Sequence, residues 1–294
     1  MRQAYLICSD YLKPLDTTKL LIASFAKRGY RLSMLDPHKL GYSLSAKKIE
    51  IFHGKERISD AKLLIIRGTR VAPTDIYNLA VAFERLGAVV LDPSHALGSA
   101  GAKFAPHLDR VGKISFPASV FLPSISGNSF KRITSSGIKA PFIVKPQNGH
   151  HGEGVELIKN ANDLAIYATN YPNTPIIAQP FLDIIHEYRV LLLGKKSLGV
   201  CEKRSESIVK NAAQGGSFTY LRDKRVEAFA RKAVTGAPSH FYGVDVAETK
   251  NGSLYVLEAN RAPAFDAFRK ASKLPIEDYF ADYCLTLLKR RLKA

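Results

Sequence analysis

The chain contains no tryptophan, two methionines and three cysteines in 294 residues. Cys8, Cys201 and Cys284 lack the spacing of a zinc site or a disulfide framework, so the expectation is reduced core thiols in a cytoplasmic protein. No apolar run approaches the roughly 20 residues that cross a bilayer, which excludes a spanning helix. The opening segment, Met1 to Cys8, is too short and too soon followed by Asp10 to read as a secretory signal. Acids are scarce: 26 stand against 43 lysines and arginines, a formal charge of +17. That excess draws anionic ligands or partners over long range. Part of it is local, because a last helix from about Pro275 to Leu292 opens with Glu277 and Asp278 and closes with Lys289, Arg290 and Arg291, matching the helix dipole. The remainder leaves two readings open: solubility, or a polyanionic partner such as an acidic peptide, a polyglutamate tail or nucleic acid.

What is present is ordinary for a globular chain: 46% hydrophobic and 23% charged residues, enough for a full core and two or three subdomains. The first ninety-odd residues alternate strand and helix. Ala4 to Cys8, Arg31 to Leu35 and Leu63 to Ile66 read as strands. Thr17 to Arg28, with Asp16 as cap and Gly29 as terminator, and Asp75 to Leu86 read as helices. Lys47 to Phe52 with a turn at His53-Gly54 suggests a hairpin. This order argues an open α/β domain. From about residue 103 strands and helices mix without strict alternation, as in α+β subdomains.

Two segments carry chemistry. Gly243 to Asn260 reads as a hairpin around Lys250-Asn251-Gly252, since Asn-Gly is the strongest short hairpin signal. Asp245 lies inside its first apolar run; Glu258 and Asn260, two apart on the second, share a face. Such an oxygen cluster suits Mg²⁺, with phosphates completing the octahedron; a solvent-facing strand with ordinary polar residues is the alternative. Pro141-Phe-Ile-Val-Lys-Pro146, the Gly-rich run Gln147-Asn-Gly-His-His-Gly-Glu-Gly154 and Val155-Glu-Leu-Ile158 read as strand, loop and strand. Gly149, Gly152 and Gly154 would let backbone N–H groups close on phosphate, with Lys145 leading in. The alternative is a glycine-rich hairpin without a ligand.

Taken in order, these and further segments resemble the ATP-grasp superfamily and, within it, the RimK-like α-L-glutamate ligases, which are carboxylate–amine ligases related to glutathione synthetase. The further segments are Ile65-Ile-Arg-Gly68, Val90-Leu-Asp-Pro93, Ala102-Lys103, Ile177-Ala-Gln-Pro-Phe-Leu182, His186-Glu-Tyr-Arg-Val190, Cys201-Glu-Lys-Arg204 and Lys210-Asn-Ala-Ala-Gln-Gly-Gly216. The resemblance implies an ATP-grasp fold of mixed α/β and α+β class: an open α/β pre-ATP-grasp domain over residues 1–97, a central subdomain with the lid over 98–175, and a carboxy-terminal subdomain with the metal site over 176–294. It implies ATP and two Mg²⁺ ions, with Mn²⁺ as a substitute, held by Asp245, Glu258 and Asn260. Lys103 and Lys145 would neutralise phosphates. Gly149, His151, Gly152 and Gly154 would cover them, Gln179, Pro180, Phe181 and Leu182 would frame the adenine, and Glu187 would meet the ribose. Arg204 and Asn211 would serve catalysis, Arg204 at the acceptor carboxylate or the acylphosphate and Asn211 at the γ-phosphate or a metal. Arg67 is either a substrate contact or a buried arginine paired to an acid, and His150 and His151 read as an exposed loop or as phosphate donors.

The implied activity is ADP-forming amide synthesis through an acylphosphate, adding an amino-acid donor to an acidic peptide, protein or small-molecule acceptor. Two alternatives stay open: a kinase on an anionic hydroxyl substrate, and a nucleotide-dependent binding protein for a polyanion such as nucleic acid. Sparse aromatic–basic interleaving argues against the last. A cytoplasmic homo-oligomer without membrane contact is expected. The sequence departs from the family pattern in three places. Arg-Ala-Pro-Ala follows Asn260, Ala-Ala-Gln follows Asn211, and two histidines sit in the lid. These bear on the substrate more than on ATP or metal.

Overall fold

The computed structural model describes residues 2–10, 12–58, 60–69, 73–97, 111–147, 153–204 and 217–293. Its first sheet is parallel, in the order β2-β1-β6-β7, with β1 (Arg2–Ile7), β2 (Tyr30–Leu35), β6 (Leu63–Ile66) and β7 (Val89–Leu91). Parallel neighbours need crossovers, and α1 (Asp16–Lys27) and α2 (Pro73–Arg85) supply them. Leu21 and Phe25 of α1 pack on one face with Leu6 and Leu63; Ile76, Leu79 and Phe83 of α2 pack on the other with Leu64 and Ile66. Short helix α3 (Ser94–Leu97) follows β7. Asp16, expected to cap α1, is instead its first residue. Leu15 occupies the cap position, and the Asp10 carboxylate accepts from the Leu15 N–H at 2.8 Å and from Thr18 Oγ1 at 2.9 Å.

Between β2 and β6 lies a small antiparallel sheet of β3 (Leu40–Ser45), β4 (Lys48–His53) and β5 (Glu56–Ile58). The β4–β5 hairpin with its turn at Gly54 was legible. β3 was not read, although Leu40, Tyr42 and Leu44 alternate with Gly41, Ser43 and Ser45; no residue along it is buried.

The central sheet is antiparallel, in the order β10-β9-β11-β8: β8 (Val120–Leu122), β9 (Phe142–Pro146), β10 (Glu156–Ile158) and β11 (Ile176–Pro180). With α4 (Ser129–Ser135) and α5 (Ala161–Asn170) it buries a core of its own around Phe142, Val144, Leu164 and Tyr167. The strand at 176–180 therefore belongs to this sheet by pairing. Gly154 closes the β9–β10 connection at φ +69°, and a Cβ there would lie 2.7 Å from Pro146 Cγ, so close packing demands glycine.

The third sheet has five antiparallel strands in the order β14-β13-β12-β15-β16: β12 (Ile184–Leu193), β13 (Lys196–Arg204), β14 (Ser217–Leu221), β15 (Phe241–Thr249) and β16 (Leu254–Arg261). One face packs Val190, Val200, Val244 and Val246 on α6 (Lys224–Ala233). The lower part of the other face joins α7 (Asp266–Ser272) and α8 (Ile276–Arg291). There Leu191, Phe241, Phe265, Phe268 and Phe280 share one core with Leu6, Phe25 and Leu63 of the first sheet and α1. No helix among the described residues is long and apolar enough to cross a membrane.

Arg28 fastens α1 to α8. It donates to Asp278 Oδ1 at 2.9 Å and to both oxygens of Asp282 at 2.6 and 2.8 Å. Hydrogen bonding from Ser24, then Arg28, holds the Asp278 carboxyl below its ordinary value, and Arg28 does the same for Asp282. Depressed carboxylates stabilise the fold above their unfolded value and lose that contribution as pH falls through the folded one. Asp282 is 65% exposed, so screening limits the effect. Arg28→Met should therefore cost about 1–2 kcal/mol in urea unfolding at pH 7. The deficit relative to wild type should shrink below about pH 4.

Candidate functional site

The hairpin expected at 243–260 forms, with β15 and β16 paired and Gly252 at φ +81° in the turn. Register then decides which side chains meet. Glu187 stands opposite Lys203, Arg189 opposite Asp245, Asp245 opposite Glu258, and Gly243 opposite Asn260. Directly opposed residues share a face, as do residues two apart. Lys203, Glu187, Arg189, Asp245, Glu258 and Asn260 thus line the face turned away from α6, above the apolar residues that pack on α7 and α8. A register shift between Asp245 and Val246 is essential: Val246 pairs Val256, yet Asp245 pairs Glu258. An unbroken ladder would set Leu257 opposite Asp245 and turn Glu258 toward α6. The bulge re-aims the acid.

The face is an ion network. Arg189 grips Asp245 with two donors, Nε to Oδ1 and Nη2 to Oδ2, the latter at 2.8 Å. Lys203 Nζ reaches Asp245 Oδ2 at 3.2 Å and also contacts Glu187 Oε1. Lys203 is 6% exposed and Asp245 7%. Burial alone would push the Asp245 carboxyl up; the Arg189 and Lys203 charges outweigh it and hold the group below its ordinary value. Burial likewise works against the charge of Arg189 and of Lys203, and the neighbouring carboxylates overcome it, raising both. Two cations stand among three carboxylates, with one negative charge in excess.

The other expected residues fall in several places. Lys145 is half-buried on β9, at the residue paired with Ile177. Gln179 is buried, and its side-chain amide donates to Ser119 Oγ at 2.8 Å. Pro180, the exposed Phe181 and Leu182 carry the chain from β11 to β12. Lys103, Gly149, His150, His151, Gly152 and Asn211 lie outside the described residues. Arg204 does not join the network. It points to the opposite face and pairs with Glu202 at 2.9 Å, with His186 on the same carboxylate. Its neighbour Lys203 is the cation that faces Asp245. Alternation alone offered no signal, because Lys203 shares its parity with buried Cys201 and Arg204 shares its own with buried Val200.

Arg67 proves to be an interior residue. It donates from Nη2 to the Pro263 carbonyl at 2.7 Å, and its guanidinium carbon lies 5.4 Å from the Phe265 ring and 6.0 Å from those of Phe241 and Phe280. Burial pushes it down to about 10, still cationic at neutral pH. Arg67 so ties β6 to the loop after Asn260. The buried thiols are inert: desolvation pushes Cys8 and Cys201 up to about 12.

Among the described residues no group of three or more acidic, histidine or cysteine side chains is placed for a metal ion. The set that the face offers is two carboxylates and an amide, all oxygen donors. That fits a hard divalent cation whose remaining positions are filled by phosphate or water. The fold is similar to that of the ATP-grasp ligase PsnB complexed with a phosphomimetic variant of minimal precursor, Mg and ADP. The TM-score is 0.73, the identity 16%, and the match covers 97% of this chain and 98% of that one. Residues 112–284 match the RimK-like ATP-grasp domain family, and the chain belongs to it. It is 25% identical to a probable alpha-L-glutamate ligase of Alkalilimnicola ehrlichii, over 87% of each chain. It is 26% identical to the mouse beta-citrylglutamate synthase B over 51% of this chain and 41% of that protein. The protein is thus an ATP-grasp ligase, an enzyme that forms C–N bonds, and ATP with Mg²⁺ is what such ligases use.

Gly243 tests the packing of this face. A Cβ there would lie 2.8 Å from Pro263 Cβ and 3.2 Å from Arg189 Nη1. Gly243→Ala should push Arg189 off Asp245, lowering stability by about 1–3 kcal/mol in urea unfolding. A fall in ATP turnover on the order of tenfold would tie the Arg189–Asp245 pair to the positioning of reactants.

Proposed function

We propose that this protein is an ATP-dependent carboxylate–amine ligase that joins an amino acid through its amine to a carboxylate of an acidic peptide, protein or small molecule. The observation that carries this reading is the single sheet face where Glu187, Lys203, Arg189, Asp245, Glu258 and Asn260 meet. The relatives point the same way: one is named a glutamate ligase, another a citrylglutamate synthase, and a structural neighbour holds a precursor peptide's variant.

An acceptor carboxylate oxygen attacks the γ-phosphorus, the bond to the β-phosphate oxygen breaks, and ADP leaves. The donor amine then attacks the acyl carbon, loses a proton, and phosphate leaves. Both steps spread negative charge over phosphate oxygens, so the protein's task is to position and neutralise. Asp245, Glu258 and Asn260 would hold Mg²⁺, as two ions with Mn²⁺ as a substitute; the metal supplies positive charge to the phosphate oxygens. Glu187 meets the ribose, Lys103 and Lys145 the phosphates, and Gln179 to Leu182 the adenine. The 148–154 segment covers the phosphates and excludes water, which would otherwise hydrolyse an acylphosphate. Asn211 would serve at the γ-phosphate or a metal. Arg189 takes the role that the sequence reading gave to Arg204: its planar guanidinium already stands in the ion network and suits a phosphate or carboxylate.

Mass spectrometry and phosphate release across a panel of amino acids and acidic acceptors test the reading. The expected products are ADP, free phosphate and an acceptor heavier by one amino acid less water. Phosphate retained on the acceptor would overturn it. Glu258→Gln should lower acceptor-dependent phosphate release at least about 100-fold, near 2.7 kcal/mol in barrier, with circular dichroism unchanged. Activity within about tenfold of wild type would remove Glu258 from the site.

A further inference from the structure

Lys203 has no role in the expected ligand set, yet it is the most enclosed cation of the network. Its Nζ bridges Glu187 and Asp245, and Arg189 holds the same Asp245 through both carboxylate oxygens. A divalent cation on Asp245 would meet two positive groups already seated there. The two are not equally movable. Arg189 is a rigid fork bonded at two points, whereas Lys203 is a point charge on a flexible stem with a second carboxylate, Glu187, within reach.

We propose that Lys203 is a resident counter-ion of Asp245 that yields its place to the divalent cation, and that this exchange couples metal binding to nucleotide binding. The proposal rests on the reading of Asp245 as a metal ligand. When the metal takes Asp245, Lys203 keeps Glu187 and loses half of its counter-charge. A bound polyphosphate restores that charge, because the lysine stands between the proposed ribose contact and the proposed metal ligand. Metal alone therefore binds against the lysine, and metal with nucleotide binds with it. Lys203 acts here as a positioning residue, and the consequence is ordered loading: the acid pair stays neutralised until phosphates arrive.

The test is Mn²⁺ affinity, read by calorimetry or by the electron paramagnetic resonance of free Mn²⁺, with and without a non-hydrolysable ATP analogue. Lys203→Met should bind Mn²⁺ about tenfold tighter than wild type in the absence of nucleotide, and the tightening produced by the analogue should fall by about the same factor. Lys203→Arg, which keeps the charge, should retain weak nucleotide-free binding. Arg261→Met removes a neighbouring charge that faces Asp92 at 3.5 Å instead, and should leave nucleotide-free affinity within about twofold. If Lys203→Met leaves Glu187 and Asp245 too repulsive to fold, the double variant Lys203→Met/Glu187→Gln serves, with the same expectation. Unchanged nucleotide-free affinity in the methionine variant, or an equal gain in Arg261→Met, overturns the exchange. Asp245→Asn separates the two levels: Mn²⁺ binding that ignores it sinks the metal-ligand reading itself, while binding lost in Asp245→Asn and unmoved by Lys203→Met sinks only the exchange.

Discussion

The constraint on which the site depends is the desolvation of Asp245. A carboxylate this enclosed is stable only if its charge is answered, and breaking one partner of such a pair costs about 3–5 kcal/mol. The sheet answers it twice, with Arg189 from the neighbouring strand and Lys203 from the strand beyond. Lys203 is buried and the Arg189 side chain is 18% exposed, so removing either leaves the enclosed carboxylate with part of its charge unanswered. Strand order is what makes this possible. With β12 between β13 and β15, alternate residues of three strands converge on one face, and the acid of one strand finds cations on two others. A one-residue slip of β12 would send Arg189 into the valines that pack on α6.

The surroundings of the network divide into a firm part and a separate part. The first sheet and the five-stranded sheet share one apolar core, and Arg67 adds a tie from β6 to the loop after Asn260. The acid cluster and the end of the first sheet are therefore one packed body. Among the described residues the central sheet buries its own core, separate from that of the body. The short run from Pro180 to Asp183 connects the two. A nucleotide held by Lys145 on one side and Glu187 on the other would be gripped by two bodies whose cores are independent, which suits a site that must open for substrates and close against water.

Much of this was legible in the chain. The Asn-Gly turn and the acid within an apolar run each follow from backbone or solvation physics, and each stands where it was expected. The acid spacing was legible only as far as the hairpin. That Glu258 faces Asp245 depends on the bulge, and no residue between Thr249 and Glu258 announces it. β3 escaped because its residues face solvent. Lys203 escaped beside Arg204 for a different reason: residue type favours a guanidinium over an ammonium, and only the register with Glu187 shows which of the two faces the acids.

That error shows what residue type can and cannot decide. Arginine is the better partner for planar anions, so a strand ending in Lys-Arg invites the choice of arginine. Position, however, is set by the period of the strand and by its register, with Val200 buried on one face and Cys201 on the other. The outward Arg204 serves Glu202 at the rim, where it is 67% exposed and contributes little. The inward Lys203 meets two carboxylates in a nearly dry environment, where each contact is electrostatically stronger. A site made of charges on a sheet packed on both sides is thus located by cross-strand register: Glu187 stands opposite Lys203, and Arg189, two residues on, stands opposite Asp245.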